Sequence, residues 1–175
     1  MKIDFVNTVR VAGVVRESIT DGPGLRYTIF LQGCSHHCPG CHNPETHDPS
    51  GGEDWLLTRL WDEISSNPLL TGVTLSGGEP FLQARALLPL TAQIRLAGLE
   101  LAVYSGYTFE EIRELGIYAM ALLRHCHVLV DGPFDIDKRD LGLRFRGSWN
   151  QRILDVKASL MRGYAKGMFD GRWQD

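Results

Sequence analysis

Between Gly33 and Thr46 the chain reads Gly-Cys-Ser-His-His-Cys-Pro-Gly-Cys-His-Asn-Pro-Glu-Thr, and this stretch constrains the fold more than any other. Three of the four cysteines stand in it, Cys34, Cys38 and Cys41, separated by three and then two residues. Thiolates at such gaps in a loop converge on one centre, as a soft metal ion or an iron–sulfur cluster requires. Pro39 and Gly40 let the chain curl tightly between the second and third cysteines. A [4Fe–4S] cluster ordinarily takes four cysteines, so three leave one iron open, much as a catalytic zinc keeps an open position. A zinc site of three cysteines plus His36, His37 or His42 satisfies the same spacing. Spacing alone leaves both alternatives standing.

The rest of the chain narrows the setting. Its 175 residues suffice for one domain with a substantial core. A net charge of −3 gives no basic signature for nucleic acid or a membrane surface. Lys2, Asp4 and Arg10 interrupt the apolar residues at the start, unlike a secretory leader, and no apolar run approaches a membrane span. Three cysteines crowded into one loop do not resemble a secreted disulfide framework. These features imply a cytoplasmic protein with reduced thiols.

The order of elements gives the architecture. Residues 9–15 are apolar and β-branched and suit a strand; Asp21-Gly22-Pro23-Gly24 follows as a turn, best read on its own as a connector. Residues 26–32 read as a buried strand leading straight into the cysteine loop. Residues 53–66 carry Trp55, Leu56, Leu60, Trp61 and Ile64 near helical spacing and predict one amphipathic helix. A short strand at 73–75 runs into Ser76-Gly77-Gly78-Glu79-Pro80, then a helix over 82–97 in which Pro89 marks a start or a kink. A strand at 99–104 follows, then a capping box at Thr108 and Glu111 opening a helix weakened at Gly116 and running to about Arg124. Strands at 128–130 and 151–156 flank a polar loop over 135–150. Alternating strands and helices argue for parallel βα units, too few for a complete eight-fold barrel. The predicted fold is α/β, an incomplete (β/α) barrel or an open, curved parallel sheet. Residues 1–175 form a single domain, and 162–175 lack a clear period and read as a tail ordered at best in part.

Each of these strands ends in a polar or glycine-rich turn, and parallel α/β folds gather such ends on one face. That brings the thiolates near Gly77, Gly78 and Glu79, near Ser105, and near Asp131. Gly77 and Gly78 admit a ligand close to the backbone, and Glu79 suits an ammonium group. The plainer alternative for this turn is a tight strand–helix connection. Asp131 suits contact with a ribose or an amine, or the capping of a turn. His36 and His37 read as solvated loop residues, His125 and His127 as structural, and Cys126 as a buried, inert thiol.

The cysteine loop and the Gly-Gly-Glu-Pro turn, taken together, resemble the radical S-adenosylmethionine enzymes. Asp21-Gly22-Pro23-Gly24-Leu25-Arg26, Cys38-Pro39-Gly40-Cys41-His42-Asn43-Pro44-Glu45-Thr46 and Thr74-Leu75-Ser76-Gly77-Gly78-Glu79-Pro80 are similar to the glycyl-radical-enzyme activases. Tyr104-Ser105-Gly106-Tyr107-Thr108, Leu129-Val130-Asp131-Gly132-Pro133-Phe134 and Arg146-Gly147-Ser148-Trp149-Asn150-Gln151-Arg152 resemble the branch that serves anaerobic ribonucleoside-triphosphate reductases. The resemblance implies a [4Fe–4S] cluster on Cys34, Cys38 and Cys41, with S-adenosylmethionine on its open iron. It implies a cofactor site drawing on Gly40, Cys41, His42, Gly77, Gly78, Glu79, Ser105 and Asp131. Many members of the wider superfamily carry an aromatic residue before the last cysteine; here Gly40 stands there, so adenine contact falls to the backbone and His42. The implied substrate is a glycine Cα–H of a large reductase, and the implied electron donor is flavodoxin or ferredoxin. Residues 135–152 become the candidate docking surface. The rivals are a radical S-adenosylmethionine enzyme acting on a small molecule such as a deazapurine precursor, and a zinc-binding module without catalysis. On this view Gly78→Val keeps the cluster and loses S-adenosylmethionine. Replacing Cys34, Cys38 or Cys41 by Ala abolishes stable cluster assembly, whereas Cys126→Ala leaves it intact; iron and sulfide content after anaerobic reconstitution checks this.

Overall fold

The computed structural model describes residues 7–174. The opening residues, read above as unlike a leader, lie largely outside the described residues. A seven-stranded sheet forms from β1 (Thr8–Ser18), β2 (Arg26–Leu31), β3 (Glu53–Leu56), β4 (Gly72–Gly77), β5 (Glu100–Tyr104), β6 (Val128–Asp131) and β7 (Arg152–Asp155), in the spatial order β3-β1-β2-β4-β5-β6-β7. The inner strands β2, β4, β5 and β6 run parallel. The sheet is open, with β3 and β7 at its edges. The parallel expectation needs one correction: β1 is antiparallel to β2 and β3, and β7 is antiparallel to β6. The connections 18–26 and 131–152 carry no helical crossover of the length a parallel return requires.

The inner strands are rich in apolar residues because both of their faces are covered, and their buried polar members Arg26, Thr28 and Thr74 are hydrogen-bonded. Tyr27, Ile29, Leu31, Val73, Leu75, Leu101, Val103 and Leu129 point to one face, where they form the main core with α1 (Leu57–Ser65), α2 (Ala84–Leu96) and α4 (Ile117–His125). The other face presents Ala102, Val128 and Val130 to Trp173, Phe145, Ile153 and Met168. Trp173, from the aperiodic tail, is 1% exposed there and donates Nε1–H to Glu100 Oε1 at 3.3 Å. Arg26 is fully buried beside it. Its guanidinium donates to Thr74 Oγ1 at 2.7 Å, Glu100 Oε1 at 2.9 Å and the Val73 carbonyl at 2.9 Å. Burial pulls the Arg26 pKa down and the Glu100 carboxylate opposes it, so the charge is tolerated only because it is paired.

Two further expectations are revised. Residues 53–66 are not one helix: Glu53–Leu56 pairs with β1 in the register Thr8↔Leu56 to Val11↔Glu53, and α1 begins at Leu57. The outer edge of β1 offered unpaired backbone groups, and strand pairing there outweighed the helical spacing of Trp55 and Leu56. The helix predicted after Thr108 is also split. α3 (Phe109–Ile112) keeps the Thr108–Glu111 capping box, but Gly116 at φ +109° breaks the chain before α4. Pro89 lies within α2 and does not open it. At the carboxyl edge of the parallel strands the turns are bonded to one another. Gly78 N–H donates to the Leu31 carbonyl and Glu79 N–H to that of Gly33, both at 2.8 Å, and Ser105 N–H donates to Val130 O at 2.9 Å. Among the described residues no helix is long and apolar enough to cross a membrane.

Candidate iron–sulfur site

The turn after β2 becomes a closed loop because its stem is stitched. Gly33 N–H donates to the Thr46 carbonyl at 2.8 Å, and Cys34 N–H to that of His47 at 3.1 Å. Gln32 Nε2 donates to the carbonyls of Glu45 at 3.0 Å and Asp48 at 2.6 Å. Inside the loop, Cys41 N–H closes a turn onto Cys38 O at 3.1 Å, and Asn43 N–H reaches Cys41 Sγ at 3.4 Å. Cys34, Cys38 and Cys41 are free, half-buried thiols on the wall of one cavity of about 500 Å³. Burial raises the Cys34 thiol above its ordinary range, with the His36 amide pulling the other way. Cys126 stands apart, 3% exposed, with its thiol on the Leu122 carbonyl and pushed up by burial.

The turns after β4 and β5 complete the wall with Ser76, Gly77, Gly78, Ser105 and Gly106. The glycines serve a closer approach than the one expected. A Cβ at Gly77 would lie 2.7 Å from the Phe30 and Leu31 backbone, and one at Gly78 would strike the Gly33 carbonyl. The pair therefore lets the end of β4 touch the stem of the cysteine loop. Glu79 itself lies behind the wall and is fully buried. Its carboxylate accepts from Phe81 N–H at 3.0 Å, Ser105 Oγ at 3.0 Å, Gly106 N–H at 2.9 Å and His36 Nε2 at 2.9 Å. His36 is thus no solvated loop residue, whereas His37 is exposed.

Of the other residues singled out from sequence, His42 lies on the wall with its ring centroid 4.8 Å from that of Phe134. Gly40 does not line the cavity; Ile136 and Phe134 pack over it, and a Cβ there would stand 2.8 Å from Ile136 Cδ1. Asp131 is fully buried off the wall. It accepts from Phe109 N–H at 2.6 Å and pairs with Arg152 through two bonds of 2.9 and 2.6 Å. Sequence reasoning gave no site role to Thr20, Asp21, Tyr104 or Phe134, all on the wall. The Asp-Gly-Pro-Gly turn held the clue to Asp21, whose carboxylate accepts from Thr28 Oγ1 at 3.1 Å and whose carbonyl accepts from Thr74 Oγ1 at 2.7 Å.

Among the described residues no three His, Cys, Asp or Glu side chains are grouped closely enough to hold one metal ion. A cubane offers each cysteine its own iron, so its ligands stand further apart than those of a single ion. Three thiols spread round one cavity, with backbone turns facing them, fit such a cluster.

The family model described as "4Fe-4S single cluster domain" matches residues 20–154. The anaerobic ribonucleoside-triphosphate reductase-activating protein of Vibrio cholerae is 36% identical over 146 residues, covering 77% of this chain and 90% of that protein. The protein of the same name from Escherichia coli is 35% identical, covering 77% of this chain and 91% of that one. The crystal structure of QueE from Escherichia coli matches with a TM-score of 0.49 at 18% identity, over 59% of this chain and 56% of that chain. Fold, thiols and family model define a protein built round a single [4Fe–4S] cluster. Within that class, the chain belongs to the family of anaerobic ribonucleoside-triphosphate reductase-activating proteins.

The contact between Gly78 and Gly33 changes what the Gly78→Val variant should do. Its side chain would displace the stem carbonyl next to Cys34, so Gly78→Val is expected to lose iron on reconstitution as well as cofactor binding. Iron retained at the wild-type level would contradict this close contact.

Proposed function

We propose that this chain generates a glycyl radical on an anaerobic ribonucleoside-triphosphate reductase by reductive cleavage of S-adenosylmethionine. The observation that carries this is the shared cavity: three thiols and the Ser76-Gly77-Gly78 turn open onto one space at the carboxyl edge of the parallel strands. When bound there, the cluster and S-adenosylmethionine together supply the hydrogen-abstracting radical; the chain's residues hold and orient them.

Cys34, Cys38 and Cys41 would hold a [4Fe–4S] cluster through three of its irons and leave one iron without a protein ligand. The Ser76–Gly78 turn, which lines the cavity, would receive the methionyl end, with Glu79 fixing the turn from behind. His42 and Phe134 offer a ring surface for the adenine beside Cys41, in place of the aromatic residue that Gly40 lacks. Burial pushes the Tyr104 phenol above its ordinary range, so it stays protonated on the cavity wall. No acid–base pair is required of the chain, because the reacting bond is a glycine C–H of the partner.

The cavity needs a cover that excludes water from a radical. Residues 135–152 form its rim, with Phe145 and Arg146 on the wall and Leu141 and Trp149 largely exposed. A glycine-bearing loop of the reductase docks there and supplies the cover. A flavodoxin or ferredoxin delivers the electron, and the setting is cytoplasmic.

Anaerobic incubation of the reduced protein with S-adenosylmethionine and the reductase tests this. Electron paramagnetic resonance should show a glycyl radical accompanied by deoxyadenosine, with slow, uncoupled cleavage when the reductase is omitted. Charge reversal at Arg144 and Arg146 should lower radical yield at unchanged iron content. Fully coupled turnover of a small molecule without any partner would overturn the proposal.

A further inference from the structure

His36 leaves the cysteine loop and reaches across to the turns after β4 and β5. Its Nε2 lies 2.9 Å from Glu79 Oε2, and its ring meets that of Tyr107 edge-on at 4.4 Å between centroids. Gly106 makes room for it: a Cβ at that position would come within 2.7 Å of the imidazole Cγ. The imidazole side chain is 17% exposed, and the carboxylate it meets is not exposed at all. Phe81 N–H, Ser105 Oγ and Gly106 N–H supply the other donors to that carboxylate, and all of them belong to the β4 and β5 turns. The stem bonds at Gly33 and Cys34 tie the loop to its own returning segment at Thr46 and His47, and the Gly33 carbonyl accepts from Glu79 N–H at 2.8 Å. Beyond the stem, the stretch between Cys34 and Cys38 is fastened to the neighbouring strand ends through the side chain midway between them.

We infer that His36 is a positioning residue: its Nε2–H donates to Glu79 and latches the cysteine loop against the β4 and β5 turns, so that the thiols stand at the cavity wall before any cofactor arrives. This rests on the reading of the cavity as the cluster site. A hydrogen bond to a buried carboxylate is among the stronger ones available to a loop, and a site held in this way loses little order on loading. The donor, more than the ring, carries the role. His36→Gln keeps an N–H at nearly the same reach, whereas His36→Phe keeps the ring against Tyr107 and removes the donor.

The test uses the full-length protein without iron, kept reduced by a phosphine under anaerobic conditions. Iodoacetamide labelling of Cys34, Cys38, Cys41 and Cys126 is followed peptide by peptide by mass spectrometry. In His36→Phe the three loop thiols should label about tenfold faster than in wild type, as expected for the loss of a charge-assisted bond that holds a local opening closed. His36→Gln should stay within about twofold of wild type on the same scale. Cys126, buried on the far side of the core, should keep its wild-type rate in both. Equal loop labelling in His36→Phe and wild type overturns the inference. Fast labelling in His36→Gln overturns it too, because the donor would then be irrelevant. Acceleration at Cys126 along with the loop assigns His36 to global stability and likewise refutes the latch. Because the labelling needs no cluster, a failure of the latch is distinguishable from a failure of the cluster assignment.

Discussion

The site depends on one buried carboxylate. Glu79 sits where three chain reversals meet, and it takes donors from all of them: Phe81 N–H from its own turn, Ser105 and Gly106 from the turn after β5, and His36 from the cysteine loop. An ionised side chain with no exposure to water is costly unless its lone pairs are filled. Charge-assisted bonds of this kind contribute about 1.5–3 kcal/mol each, and removing the acceptor would leave several buried donors unmet. The three turns are thus held to one another by the requirement that a single charge be satisfied. Gly77 and Gly78 make this possible, since any side chain there would push β4 away from the cysteine stem.

Two other charged groups secure the flanks by the same logic. Asp131 at the end of β6 binds Arg152 at the start of β7 and the first amide of α3. Arg152 also reaches Glu110 at 2.7 Å, and its pKa is raised chiefly by the bond to Asp131. At the amino ends of the central strands Arg26 joins β2, β4 and β5 beside Trp173. Neither pair touches the cavity directly. They fix the strands whose ends form it, and the cavity inherits their rigidity.

Much of this was legible in the sequence, for identifiable reasons. The strands around Ile29, Leu75, Val103 and Leu129 are covered on both faces and so appear as short, mainly apolar segments. The thiol spacing and the polar strand ends pointed to the edge of the sheet where the three thiols and the turns after β4 and β5 share one cavity. What sequence could not supply was which partner each polar group would meet. Glu79 has the chemistry of an ammonium acceptor, but its acceptors are spent on protein donors up to 43 residues away. His36 lacked any pattern to set it apart from His37, because its role comes from Glu79 and Tyr107, distant in the chain. Residues 53–56 carried helical spacing yet were drawn into the sheet by the free edge of β1. Trp173 lies in a stretch without period, and its burial comes from packing on Ala102, Val128 and Val130 and a bond to Glu100, all distant in the chain.

Cys34, Cys38 and Cys41 are proposed to hold a cluster that keeps one iron without a protein ligand, beside the turns that line the cavity. Mössbauer spectroscopy of the iron-57 reconstituted protein, with and without S-adenosylmethionine, tests it directly. A [4Fe–4S] signal is expected in which one iron of the four separates from the rest when S-adenosylmethionine is added. A spectrum in which all the irons behave alike in both conditions, or a protein that retains zinc and no iron, would contradict it.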